Sequence, residues 1–287
     1  MSKLYIVPTP IGNLQDMTQR AVDTLKVSDL ILAEDTRHTQ KLLNYFDIKT
    51  KLISYHKFNE KSRSEEIVNE ILNGDKDVSL VTDAGTPCIS DPGYELVKRA
   101  REAGIEVIGL AGASAVTIAL SVAGIDTFEF VFYGFLPRKK GELETALKKV
   151  LHNPIRTFVL YESPKRIVKL IESIKDVMPN STICVLKELT KLHENSFYGS
   201  SDNVLEQLKN HEDVERGEYV VVGYNNDYKE PETNNTSVSL HAILFDKLIQ
   251  KHYSLKEAVN EVVEDGIATK NDAYKTSLEV KNFIENY

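Results

Sequence analysis

The sequence predicts an α/β protein, two consecutive α/β domains followed by a small C-terminal helical module. Over the first 125 or so residues, short apolar runs alternate with amphipathic stretches, the pattern of a parallel sheet with crossover helices. After the charged turn Arg138-Lys139-Lys140-Gly141 the same alternation begins again. Beyond a polar stretch rich in Asn, Thr, Pro and Glu, three short segments each carry helix-start signals.

In chain order, strands are expected at Leu4 to Val7, Leu30 to Ala33, Leu52 to Ser54, Val78 to Val81 and Val107 to Leu110, each followed by polar, Gly or Pro residues. Ser62-Arg63-Ser64-Glu65 has the form of a capping box, and Asp91-Pro92 sets an N-cap before a proline at the first helical position. The apolar run Phe130 to Pro137 closes the first domain, with the boundary between residues 134 and 135. In the second domain, 135–224, strands are expected at Thr157 to Tyr161, Ile183 to Leu186 and Tyr219 to Val222, with a helix entered at Ser163-Pro164. Residues 225–239 have linker composition. The module over 240–287 reads as three helices: one reaching His252, one capped by Ser254 with Glu257 in box position, and one started by Thr269 with Asp272 in box position, with Gly266 in the turn before the last.

Composition narrows the function classes. A chain of 287 residues, 41% of them hydrophobic, can bury substantial cores. Its two cysteines, Cys88 and Cys184, supply neither a disulfide framework nor a four-ligand zinc site, so no metal is expected. No apolar run approaches the roughly 20 residues that span a bilayer, which points to the cytoplasm and away from membranes. A net charge of −8 argues against binding nucleic acid with the whole surface, since such affinity rests largely on neutralised phosphates. From Asp227 onward eleven acidic residues face seven basic ones, which disfavours a groove-reading module.

In an open parallel sheet, ligands gather at the loops that follow the strands. Three such loops stand out: Pro8 to Asn13, Val81 to Gly93 and Gly109 to Ala115. Each is rich in small or rigid residues that let backbone approach a ligand. None of them is a GxGxxG fingerprint or a GxxxxGK[ST] phosphate loop.

Together the three loops resemble the cofactor loops of the tetrapyrrole-methylase family. Ala33-Glu34-Asp35-Thr36-Arg37-His38-Thr39, Asp83 to Gly93, Gly134-Phe135-Leu136-Pro137, Tyr161-Glu162-Ser163 and Lys187 to Lys191 resemble the branch of it that acts on ribosomal RNA. In place of a Gly-rich first loop stands Pro-Thr-Pro-Ile-Gly, which favours that branch. The resemblance covers residues 3 to about 224. It implies S-adenosylmethionine in a cleft between the two α/β domains, a homodimer, and methylation of a cytidine ribose 2′-hydroxyl in 16S ribosomal RNA near the decoding centre, with the small ribosomal subunit as partner. Carried over motif by motif, it implies cofactor contacts at Pro10, Ile11 and Gly12, at Asp83, Ala84, Gly85, Thr86 and Ile89, at Ser114 and Ala115, and at Tyr161, Glu162 and Leu189.

A sulfonium donor needs no metal, only placement in line with its acceptor. A ribose hydroxyl does need its proton removed or its developing charge stabilised. Candidates after the second and third strands are Asp35, Arg37, His38, His56, Asn59 and Glu60. Asp35 doubles as a helix cap, and Arg37 suits a two-point phosphate clamp. Over residues 138–170 nine basic residues face three acidic ones, and there Lys139 and Arg166 are the candidate phosphate contacts. Two other readings are methylation of a porphyrin-like or other small substrate, and a nucleic-acid-binding regulator whose α/β part senses a ligand.

Overall fold

The computed structural model describes residues 2–230, 239–250 and 253–285. Residues 231–238 of the expected linker, and His252 at the expected end of the first module helix, lie outside them. Two compact units result, residues up to Tyr228 and residues from Lys229.

The first unit begins with β1 (Lys3–Ile6), α1 (Gln19–Val27), β2 (Leu30–Ala33), α2 (Thr36–Tyr45), β3 (Leu52–Ser54), α3 (Glu60–Gly74), β4 (Val78–Leu80), α4 (Tyr94–Glu102) and β5 (Glu106–Gly109). These strands form one parallel sheet in the order β3-β2-β4-β1-β5. The chain steps one way from β1 to β3 and returns from β3 to β5. Right-handed crossovers therefore put α1 and α2 on one face and α3 and α4 on the other. Strand side chains follow suit: Ile31 and Ala33 join Val22, Leu25 and Leu43, whereas Leu30 and Leu32 join Ile67, Ile71 and Leu96.

Two helix starts differ from the sequence reading. α3 begins before Ser62, because Asn59 Oδ1 accepts from His56 N at 2.8 Å and closes the preceding turn; Ser62 then lies inside the helix and donates to Asn59 O. α4 begins after Pro92, and its N-cap is Gly93 at φ 136°. A glycine cannot cap with a side chain, and Glu60 Oε1 does so from α3, accepting from Gly93 N at 2.9 Å and Glu95 N at 3.0 Å. A carboxylate at that helix end also meets the positive pole of the backbone dipole.

α5 (Ala115–Val122) follows β5 and leads to the second sheet. That sheet is mixed, in the order β6 (Phe130–Phe135), β7 (Thr157–Glu162), β10 (Tyr219–Tyr224), β8 (Thr182–Lys187), β9 (Asn195–Ser200). β6 and β7 are parallel and the other pairs antiparallel. The change of sheet thus falls between α5 and β6. One face is covered by α6 (Lys140–Leu151), α7 (Ile167–Val177) and α8 (Ser201–Lys209), through Leu147, Leu170, Ile174 and Val204 against Phe158, Leu160 and Val221. Ser163-Pro164 opens the short 3-10 turn that leads into α7. The other face, with Val159, Cys184, Leu186, Val220 and Val222, is buried by α5 and by Ile11 of the first loop.

The second unit packs α9 (Leu240–Gln250), α10 (Leu255–Glu264) and α11 (Lys270–Glu285) around Leu244, Ala258, Val262, Ala273 and Val280. The Ser254–Glu257 capping box is complete, and Asp272 N donates to Thr269 Oγ1 as expected. Among the described residues no helix is long and apolar enough to cross a membrane.

Gly223 of β10 leaves the space that the Phe158 ring fills, and a Cβ there would overlap the ring. Gly223→Ala is expected to cost about 1–3 kcal/mol, read as a lowered thermal midpoint with unchanged far-UV circular dichroism below it. Glu60→Ala is expected to cost about 1 kcal/mol through the lost cap, with faster hydrogen exchange first at the amides of Gly93 and Glu95.

Candidate active site

The helices that follow β1 and β4 leave toward opposite faces of the parallel sheet, so a crevice opens at the carboxyl ends of these neighbouring strands. The three loops flagged in the sequence meet here and are tied to one another. Thr9 N donates to Gly85 O at 2.9 Å and Gly85 N to Thr9 O at 3.0 Å, with Gly85 at φ +88°. Thr9 Oγ1 donates to Thr82 O, and Thr86 Oγ1 to Ala113 O at 2.9 Å. Gly112 lets Pro8 close on the third loop, since a Cβ would stand 2.6 Å from the proline ring.

The second sheet supplies the opposite wall: Phe135, Tyr161 to Pro164, and Gly217 to Val220. Lys191 ties the two walls together. Its stem lies where a side chain on Gly12 would be, and its Nζ donates to Glu188 Oε1 and Glu218 Oε2, both at 2.8 Å.

Between the walls lies a cavity of about 380 Å³. Its lining carries three carboxylates, Asp91, Glu162 and Glu218, and no Lys, Arg or His. Glu162 is buried; one of its oxygens accepts from Ser163 N at 2.7 Å, and Oε2 has no aligned hydrogen bond although Arg166 Nη2 stands 3.1 Å away. The cavity suits an organic cation better than a phosphorylated ligand, since Arg166 and Lys191 match Glu162 and Glu218 from outside the lining and Asp91 is left, among the described residues, as a half-buried carboxylate without a cationic partner.

Of the expected cofactor residues, Ile11, Ala84, Gly85, Thr86, Ile89, Ser114, Ala115, Tyr161 and Glu162 line this cavity. Pro10, Gly12 and Asp83 line an adjoining cleft together with His38 and Lys191. Leu189 is buried in the core beside Ile11 and Val220. Phe135 and Ser163 belong to motifs that carry the family resemblance, whereas the Gly217–Val220 segment has no counterpart among the sequence candidates, because the segment leading into β10 carries no Gly- or Pro-rich signature. Asp91 was read as a helix cap, and the structure instead puts it in the cavity wall.

The other candidates are dispersed. Asp35 caps α2 and chelates Arg37, Nε to Oδ1 at 3.2 Å and Nη2 to Oδ2 at 2.9 Å. The guanidinium so placed holds the Asp35 carboxyl well below the usual carboxylate range. That fits an acceptor of hydrogen bonds better than a base. Asn59 closes the turn before α3 and Glu60 caps α4. His56 Nδ1 is buried without a hydrogen-bond partner. Lys139 is exposed and pairs with Glu142 at 3.1 Å. Arg166 is only 23% exposed and donates to Pro137 O at 3.1 Å.

An acidic group lies behind the cavity wall. Thr82 Oγ1 donates to Glu34 Oε2 at 3.2 Å, and Asp83 Oδ1 accepts from Asp35 N at 3.0 Å. Burial, and secondarily the charge of Asp83, raise the Glu34 pKa. Burial pushes Asp91 up to about 6, with Glu34 and Asp83 adding to it against a hydrogen bond from Thr82. Tyr161 is pushed up to about 12, by burial and then by Asp91. Among the described residues no group of three or more His, Cys, Asp or Glu is disposed to hold a metal ion.

A second, smaller cleft of about 110 Å³ shares Glu162 with the cavity. It is lined by Arg138, Arg166 and Lys169, with Leu143 and Leu170 at its floor.

Residues 3–205 match the family model described as tetrapyrrole (corrin/porphyrin) methylases. The chain is 40% identical over 276 residues to the protein of Halalkalibacterium halodurans named ribosomal RNA small subunit methyltransferase I, covering 94% of this chain and 93% of that one. It is 41% identical over 278 residues to the Escherichia coli O157:H7 protein of the same name, covering 96% and 95%. Among solved structures, diphthine synthase resembles it with a TM-score of 0.59 at 14% identity, over 77% of this chain and 89% of that one. Uroporphyrin-III-C-methyltransferase of Thermus thermophilus does so with a TM-score of 0.53 at 17% identity, over 77% and 94%. These two likenesses concern the fold. With the fold, the loops and the sequence in agreement, the chain belongs to the tetrapyrrole methylase family, in the group that its 40% identical relatives form.

Proposed function

We propose that the protein transfers a methyl group from S-adenosylmethionine to the ribose 2′-hydroxyl of a cytidine in the 16S RNA of the small ribosomal subunit. The observation that carries the donor is the charge of the cavity: three carboxylates and no basic side chain around about 380 Å³. S-adenosylmethionine supplies an electrophilic methyl on a cationic sulfonium, and this lining accommodates such a charge. Residues 10–12, 83–86 and 89, with Ser114, Ala115, Tyr161 and Glu162, would hold it, the loops by backbone and the second sheet by side chains. The names of the relatives support ribosomal RNA as acceptor. So does the cleft of Arg138, Arg166 and Lys169, which gives a phosphate a cationic seat beside the cavity. Such a substrate implies work in the cytoplasm, and the family resemblance implies a homodimer.

Small subunits isolated from a strain lacking this gene are expected to accept label from S-adenosylmethionine on a cytidine ribose, identified by mass spectrometry of the nucleosides. Binding of S-adenosylmethionine without labelling of RNA would move the acceptor to a small molecule. Arg138→Ala combined with Lys169→Ala is expected to weaken RNA binding and flatten the slope of log K against log[salt] by about 1–2. Calorimetric affinity for S-adenosylmethionine should stay within about threefold, because neither side chain lines the larger cavity.

A further inference from the structure

Two of the three cavity carboxylates are committed. Glu162 is held by Ser163 and faces Arg166, and Glu218 is held by Lys191. Among the described residues no Lys, Arg or His pairs with Asp91. Its polar neighbour is the Thr82 hydroxyl, whose proton already goes to Glu34 Oε2. The titratable groups that face it are Glu34 from the end of β2, Asp83 from the end of β4, Cys88 from its own loop and Tyr161 from β7. None of them is cationic. Asp91 is thus a carboxylate at a cavity wall with no cationic partner, made more basic by burial and by the like charges behind it, as a general base for neutral pH requires.

Resting on the proposed function, we propose that Asp91, in the cavity wall and without a cationic partner, is the proton acceptor for the hydroxyl that is methylated, with the Thr82–Glu34 pair behind it as positioning residues. The hydroxyl oxygen forms its bond to the methyl carbon as the carbon–sulfur bond breaks, and that bonding pair leaves with the sulfur as a neutral sulfide. The hydroxyl proton passes to a carboxylate oxygen of Asp91, which returns it to solvent on product release. Asp91 is the catalytic residue here; Glu34 and Thr82 position and tune it.

The sign of the pH dependence follows. Asp91 accepts a proton only when ionised, so kcat/KM, which reports the free enzyme, rises with pH through about 6 to a plateau. Bound sulfonium favours the ionised form, so the same limb in kcat lies lower. The test measures both profiles with labelled S-adenosylmethionine and small subunits for the wild type, Asp91→Asn, Asp91→Glu and Glu34→Gln, and cofactor affinity by calorimetry. At saturating cofactor Asp91→Asn is expected to lose about 10²- to 10⁴-fold in kcat and the acid limb, with cofactor affinity also weakened because the cavity loses its one unpaired carboxylate. Asp91→Glu is expected to keep the limb and recover part of the rate. Glu34→Gln removes a like charge and is expected to move the limb to lower pH with its plateau retained. Labelling by the wild type with an acid limb retained in Asp91→Asn at saturating cofactor would overturn the role of Asp91, as would a kcat of that variant within tenfold of the wild type. No labelling by the wild type, with cofactor bound, would overturn the acceptor reading instead.

Discussion

The architecture of the first unit depends on one burial requirement. A five-stranded sheet must cover both its faces, and β7, β8 and β10 present Val159, Cys184, Leu186, Val220 and Val222 on a face that α6, α7 and α8 do not reach. α5, with Val116, Ala119 and Leu120, buries it, and Ile11 of the first loop completes the cover. Small residues on α5 let the helix lie close to the strands. Because the loops after β1, β4 and β5 are carried against that face, a ligand space between the sheets is a by-product of making one core continuous.

Backbone conformation is concentrated in the same place. Cys88, Ser90, Glu188 and Thr190 adopt the left-handed region, in two loops beside the cavity. Such conformations cost on the order of 1 kcal/mol each for residues with a Cβ. They persist where the surroundings over-determine them: Thr190 N donates to Glu194, and Glu188 takes the amide of Glu218. The other non-glycine residues of this kind, Asp47 and Asp75, merely end helices.

Much of this was legible in the sequence. β2 lies where its apolar run places it, since a strand buried on both faces reads as a continuous apolar run, and the half-buried edge strand β3 was found from its short Leu-Ile pair. β9, Asn195–Ser200, escaped notice because an edge strand with one buried side chain, Phe197, needs no apolar pattern. The Ser62 and Asp91 caps failed for different reasons: Asn59 closes a turn on His56 just ahead of Ser62, and the cap of α4 comes from far along the chain. Local signals rank short-range partners, whereas α4 is capped by Glu60 from a helix some thirty residues earlier. The three loops announced the cavity through their Gly and Pro content. The surroundings of Asp91 could not be read, because its burial in the cavity wall and its nearness to Glu34 depend on the sheet order that sets β2 beside β4.

The ammonium of Lys191 stands between Glu188 and Glu218 while its stem rests against Gly12, so the first loop of one sheet and the wall of the other share a single fastening. Swinging the sheets apart would leave both ion pairs on the second sheet's side, but would lift the Lys191 stem off Gly12 and expose the apolar bed of Ile11 and Leu189. Hinge opening is therefore the costly route into this space. The apolar contacts that bury one face of the second sheet are thus also the ones that fix the width of the cavity.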